Sequence, residues 1–282
     1  MAISILNNIP ALAAQNQLSL TQASLQTTLF RLSSGSRINS GADDAAGLAI
    51  ANGLQANVTA LNQSSQNAND GMGQLQVVDG ALSQVTNLLN RAVTLATEAS
   101  NGTVTTTQAT ALDNEFTKIK SEISSIGSNT DFNGSNVFTS TTTSIFLSDA
   151  SNSYSIGITV GTLSSSSIQG GSTSGLTTVD LSTNDLTSTT NAATALTAIN
   201  NAITNVASKR GEVGATINQL QAASNVISTQ VQNLTSAENG ITAADIPAEI
   251  GNLSRLNILN QTGMSALAQA NSAQQSVLRL LQ

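Results

Sequence analysis

Between Leu196 and Leu234 apolar residues recur every three and four positions, and that spacing limits what the chain can become. One heptad position reads Leu196, Ile203, Arg210, Ile217, Ser224 and Val231; the other reads Ile199, Val206, Val213, Leu220, Ile227 and Leu234. Ten of the twelve are apolar, a sustained seam that marks a long helix packed lengthwise on others. As one helix the stretch is roughly 58 Å long. A second seam runs through Leu75, Val78, Leu82, Val85, Leu89, Ala92 and Ala96, and a shorter third through Leu112, Phe116, Ile119, Ile123 and Ile126. Such helices are marginal alone, so three seams in one chain predict a bundle assembled from the chain's own segments.

Composition agrees. Of 282 residues 39% are hydrophobic, yet only 2% are aromatic and 9% charged. A core of Leu, Ile, Val and Ala suits long packed helices. Soluble surfaces usually carry roughly a quarter charged residues, so much of this surface is expected to be covered by something else. The net charge of −7 argues against a nucleic-acid partner. Cys and His are both absent, which excludes a disulfide, a thiolate nucleophile, an imidazole base and a Cys/His zinc site. The acids are scattered and no Ser has a base beside it, so an enzyme is the least favoured class, and no metal or cofactor is expected. The first residues lack a basic region before a short apolar run, and no apolar run is long enough to span a membrane.

The two ends resemble each other in composition. Residues 1–30 carry no charge, and from Leu256 to Gln282 the only charge is Arg279. Leu18, Leu25, Leu29 and Leu32 share a stripe near the front. Near the back Leu256, Leu267 and Leu278 repeat every eleven residues, as do Leu259, Ala270 and Leu281; such a repeat predicts nearly straight packing. Charge-free amphipathic helices are poorly soluble when exposed, so these are expected to be buried in an assembly and to order on association.

The middle differs. In "TSTTTSIFLSDASNSYSIGITVG" the alternation of Tyr154, Ile156, Ile158 and Val160 has strand period, and with "SIFL" it predicts a β-hairpin. "TTVDL" is a candidate further strand, and "TLSSSSIQGGSTSG" reads as surface loop. The fold class expected is mainly α: a long coiled-coil bundle of N- and C-terminal segments with a small central β-hairpin region.

Residues 32–54, "LSSGSRINSGADDAAGLAIANGL", interrupt the helical pattern. Composition alone allows a flexible linker. A phosphate-cradling loop lacks its lysine and its preceding strand. Gly35 and Gly41 permit sharp turns, and Ser40, Asp43 or Asp44 can cap the helix that restarts at "AAGLAIANGL". Arg31 and Arg37 read either as solvated charges or as salt bridges to a neighbouring copy. Arg210, in the long seam, reads as a register-setting polar residue or as a snorkelling side chain. Asp70, Asp79 and Glu98 read as solvated faces in preference to intersubunit contacts.

The same stretch, with "NANDGMGQLQVVDGALSQVTNLLNRAVTLATEASNGT", "NTDFNGSNVF" and the C-terminal "SAENGITAADIPAEIGNLSRLNILNQTGMSALAQANSAQQSVLRLL", resembles bacterial flagellin. The resemblance covers roughly residues 1–138 and 191–282. It implies a structural subunit of the flagellar filament, exported unfolded through the flagellar type III channel and polymerised outside the cell. Its implied partners are copies of itself, an export chaperone, the filament cap and hook–filament junction proteins, with no nucleic acid and no membrane.

The implied layout is an inner-tube helix and joint over 1–44, the N-terminal half of an outer-tube bundle over 45–138, a variable hairpin and Ser/Thr-rich region over 139–190, the bundle's C-terminal helix over 191–240, and an inner-tube helix over 241–282. Polymerisation falls to Leu18, Leu25, Leu29, Leu32, Leu256, Leu259, Leu267, Leu278 and Leu281, and the joint to Arg31, Arg37, Asp43 and Asp44. The resemblance also implies a contact patch for an animal Toll-like receptor, in which Arg91, Leu95 and Glu115 match the family pattern while Asn90, Val93, Thr94 and Glu98 depart from it. A hook–filament junction protein and a secreted helical binding protein or effector are the competing readings.

Overall fold

The computed structural model describes residues 8–149, 154–171 and 176–280, with side chains to 276 in the last segment. Among them run five helices: α1 (Ile9–Ser34), α2 (Ala45–Ala99), α3 (Thr106–Asn129), α4 (Thr189–Thr242) and α5 (Ile246–Leu280). Between α3 and α4 lie three short antiparallel pairs, β1 (Asp131–Phe132) with β2 (Ser135–Asn136), β3 (Thr143–Phe146) with β4 (Ser155–Ile158), and β5 (Leu163–Ser164) with β6 (Ser167–Ile168). The chain divides into two compact units, Met1–Ala56 with Asn233–Gln282, and Asn57–Gln232. The divisions fall inside α2 and α4, not in loops.

Unit 57–232 holds the bundle. All seven residues of the α2 seam are buried, from Leu75 to Ala96. In α3, Phe116, Ile119 and Ile123 are buried, while Leu112 and Ile126 at the ends are half-buried. The α4 seam needs one correction. Ile199, Val206, Val213, Leu220 and Ile227 are buried as expected, but Leu196, Ile203, Arg210 and Ile217 are only half-buried. The second deep row starts one residue earlier, at Ala195, Ala202 and Lys209. Small alanines let α4 sit close to its neighbours, and the larger side chains beside them cover the edge of the seam.

The central segment packs onto this bundle. β3 pairs with β4 in the register Thr143↔Ile158 to Phe146↔Ser155. Ile156, Ile158 and Val160 turn inward while Tyr154 stays half-exposed, as period-two alternation requires. The connecting turn of this hairpin falls partly outside the described residues. The stretch read as surface loop contains a second hairpin, β5–β6, whose Leu163 and Ile168 are buried. β5 lies so close to α3 that a Cβ on Gly127 would collide with the Leu163 carbonyl. "TTVDL" forms only one bridge, Val179 to Ile168. Asn205 of α4 holds that loop by donating from Nδ2 to the carbonyls of Ile168 and Thr177, both at 2.9 Å.

In the other unit α1 packs against α5. Asn8 caps α1 by accepting from the Ala11 amide at 3.1 Å, and Pro10 sits in the first turn, where its missing N–H costs nothing. The inner face of α1 is a heptad stripe: Ala11, Ala14, Leu18, Thr21, Leu25, Thr28 and Leu32 are its buried or half-buried members. The inner face of α5 is likewise sevenfold, through Glu249, Leu253, Leu256, Asn260, Gly263, Leu267, Ala270 and Gln274. The eleven-residue repeat expected there does not describe the packing. Asn260, Gly263 and Gln274 occupy seam positions and hide the heptad from a search for leucines.

Candidate functional site

The joint between α1 and α2 is built from backbone as much as from side chains. Gly35 ends α1 in the left-handed region with φ of +70°, which only glycine adopts freely. Gly41, the other expected turn residue, has no such requirement. The Arg37 amide then donates to the Thr242 carbonyl at 2.7 Å, and the Ala244 amide to the Gly35 carbonyl at 3.0 Å. Arg37 also places its guanidinium on the Ile241 carbonyl at 2.9 Å. The segment leaving α1 is thereby stitched to the segment leaving α4, with an antiparallel bridge at Ser36 and Ala243. Ile38 is buried beneath it.

Asp43 and Asp44 divide the capping work. Asp44 accepts from the Gly47 amide at 2.8 Å and is the cap of α2. Asp43 closes the preceding turn, accepting from the Ser40 hydroxyl and from the amides of Asn39 and Ser40. The Ser40 hydroxyl, then the Asn39 amide, hold the Asp43 carboxyl below the ordinary carboxylate range. Arg31 reaches Asp43 at 3.8 Å and Glu249 of α5 at 3.9 Å. Within one chain Arg31 thus meets acids of the joint and of α5, while its Nε is buried without a hydrogen-bond partner. Hydrogen bonds from both its backbone and its side chains hold the joint in this conformation.

The same unit carries most of the exposed apolar surface. Fifteen large hydrophobic side chains among the described residues are exposed, and eleven lie here. They are Ile9, Leu12, Leu20, Leu29 and Phe30 of α1, Ile50 of α2, and Ile246, Ile250, Ile258, Leu259 and Met264 of α5. Of the leucines singled out from the sequence, Leu29 and Leu259 belong to this set. Leu18, Leu25, Leu32, Leu256 and Leu267 do not: they face the α1–α5 seam and are wholly or half buried within one chain. Two helices that pair spend one stripe on each other, and only the remaining apolar side chains are free to meet another molecule. Leu281 and the Leu278 side chain lie outside the described residues.

In unit 57–232 Arg91 of α2 and Glu115 of α3 form an exposed pair, with Nε to Oε1 at 2.7 Å and Nη2 to Oε2 at 3.0 Å. The pairing raises Arg91 and holds Glu115 below the ordinary carboxylate range. Leu95 does not join them on the surface. It is fully buried, because it takes a core position beside the α2 seam. Asp79, read as solvated, is instead paired with Arg210.

The model of the bacterial flagellin N-terminal helical region matches residues 5–143, and that of the flagellin C-terminal helical region matches residues 196–281. A flagellin of Halalkalibacterium halodurans is 34% identical over 98% of both chains. The chain belongs to the bacterial flagellin family. A flagellin of Bacillus subtilis is 32% identical over 98% of both chains, and a flagellar filament 30.7 kDa core protein of Treponema maltophilum is 30% identical over the same share. Membership makes the chain a structural, self-polymerising subunit of the flagellar filament. Flagellin relatives of full matching length favour this over a junction protein or an effector.

Leucine counting missed nine of the eleven exposed apolar side chains. The usable signal was the lack of charge over residues 1–30 and, but for Arg279, from Leu256 on, which leaves even outward positions to Ile, Phe and Met.

Proposed function

We propose that the exposed apolar side chains of α1, α5 and the start of α2 form the surface through which copies of the chain polymerise. The observation that carries this reading is their concentration: eleven of fifteen fall in the smaller of the two units. A monomer rarely keeps so many together without a partner. Burying them in neighbouring copies contributes on the order of 10–20 kcal/mol per subunit before association entropy is subtracted. Leu29 and Leu259 act in this surface directly. Leu18, Leu25, Leu32, Leu256 and Leu267 act indirectly, by holding α1 and α5 together so that the outer side chains are presented in register.

The polymer stands outside the cell, and the joint of Arg31, Arg37, Asp43 and Asp44 fixes how the terminal pair enters it. The export chaperone, the filament cap and the hook–filament junction proteins meet the same apolar surface, because it is the one that must be shielded before assembly and capped at its ends.

Seeded polymerisation followed by negative-stain microscopy tests this. Leu20→Asp with Ile258→Asp places charge on two exposed positions without touching the seam, and Gln26→Asp places a charge on an exposed polar position of α1. Long filaments are expected from Gln26→Asp and none from the double variant, with unchanged helicity in both. Filaments from both would remove the proposal.

A further inference from the structure

The chain contains four Asn–Gly pairs, at 52–53, 101–102, 133–134 and 239–240, and all eight residues are exposed. Exposure therefore does not distinguish them, but backbone structure does. Gly53 lies inside α2 and Gly240 inside α4, where each amide is committed to the helix ladder. Asn133 and Gly134 form the turn of the β1–β2 hairpin with φ of +51° and +76°, clamped by the pairs Phe132↔Ser135 and Asp131↔Asn136.

Asn101 is different. It stands in the corner between α2 and α3, and its side-chain Oδ1 accepts a hydrogen bond from the Thr103 amide at 3.2 Å. Its own amide donates to the Glu98 carbonyl at 3.0 Å, and its carbonyl accepts from Val104 at 3.1 Å. The hydrogen bond to the Thr103 amide turns the side-chain amide back toward its own following backbone, next to Gly102. No Cβ at Gly102 shields that nitrogen, and the N–H of Thr103 already faces the oxygen on which negative charge would develop.

We propose that Asn101 is a self-modifying site that loses its side-chain amide without any enzyme. The Gly102 nitrogen gives its proton to water and bonds to the Asn101 Cγ. Water returns that proton to Nδ2 of the tetrahedral adduct, the Cγ–Nδ2 bond breaks and ammonia leaves, giving a five-membered imide. Water opens the imide at either carbonyl, giving aspartate or isoaspartate. The net reaction exchanges NH2 for OH at the cost of one water, and no oxidant or reductant enters. The new carboxylate lies just beyond the C-terminal end of α2 and close in sequence to Glu98, where the helix dipole disfavours negative charge. The change is irreversible, so it accumulates in a subunit held in a polymer.

The test is peptide mapping by mass spectrometry, with isoaspartate resolved, on full-length protein aged in warm, mildly alkaline buffer beside its Gly102→Ala variant. Nothing lies within 4 Å of the Cβ that this substitution adds, and unchanged circular dichroism confirms that the variant folds. Asn101 is expected to convert at least about tenfold faster than Asn52 and Asn239, a difference of about 1.4 kcal/mol in barrier, and faster than Asn133. Gly102→Ala is expected to slow conversion at 101 by at least about tenfold and to leave the other three pairs unchanged. Equal rates at 101 and the helical pairs, or faster conversion at 133, would overturn the assignment.

Discussion

Arg210 on α4 closes on Asp79 on α2, with Nε 2.8 Å from Oδ1 and Nη2 3.3 Å from Oδ2. The two-point contact pins the lengthwise register of two helices that pack through largely apolar seams. Hydrogen bonding to Asp79 raises Arg210. The side chains are 38% and 41% exposed, so the energy is small even though the geometry is specific.

A double-mutant cycle of Asp79→Ala and Arg210→Ala, measured by urea unfolding, is expected to give a coupling of about 0.3–1 kcal/mol. A coupling of zero would reduce Arg210 to a stem lying over the seam, the other sense in which its sequence position reads.

The corrected seam makes a second prediction. Ile199→Ala removes a fully buried side chain and is expected to cost about 2–5 kcal/mol. Ile203→Ala, at a half-buried position one turn on, should cost about half as much. Equal costs in urea would restore the evenly apolar seam expected from spacing alone.

Acid should loosen the joint. The folded Asp43 carboxyl is held below its ordinary range by Ser40 and Asn39. A group with a depressed folded pKa contributes stability that is present above its unfolded pKa and is lost as pH falls through the folded one. Limited proteolysis between residues 35 and 45 is therefore expected to accelerate as pH drops below the carboxylate range. Asp43→Asn should already show the fast rate at neutral pH and little further change in acid.

Hydrogen exchange should separate the two units. Ala11, Thr21 and Thr28 are the buried residues of α1, and among described side chains α5 contributes Glu249 and Leu256, against seven consecutive buried seam positions in α2. Amides of α1 and α5 are expected to exchange near the fast end in monomer and to become protected in polymer, while the α2 seam is slow in both. Strong protection of α1 in dilute monomer would contradict a helix pair that depends on its neighbours.

The bundle was legible because its seams are made of residues that do little else. Every α2 position from Leu75 to Ala96 packs where its spacing puts it. The α4 seam was misread by one residue where Ala195 and Ala202 stand beside Leu196 and Ile203. Periodicity weights large side chains, whereas close helix approach favours small ones. The sevenfold face of α1 was read only at Leu18, Leu25 and Leu32, since Thr21 and Thr28 fill its other positions, and that of α5 stayed hidden because Asn260 and Gln274 occupy inner positions while Ile258 points out. The joint's residue types were readable, but not the stitch to 241–244, since nothing local tells Arg37 that a carbonyl two hundred residues away will be its acceptor.

The lack of charge along α1 before Arg31 and along α5 between Arg255 and Arg279 also decides which conditions govern the assembled state. Contacts between such surfaces present little for counterions to screen, so moderate salt of the weakly hydrated kind should barely disturb them. Sulfate or phosphate should drive growth, because they raise the cost of leaving apolar surface in water, and cooling should shift the balance toward free subunits. A polymer built this way takes its cue from the solvent's cohesion and is nearly deaf to its ionic strength.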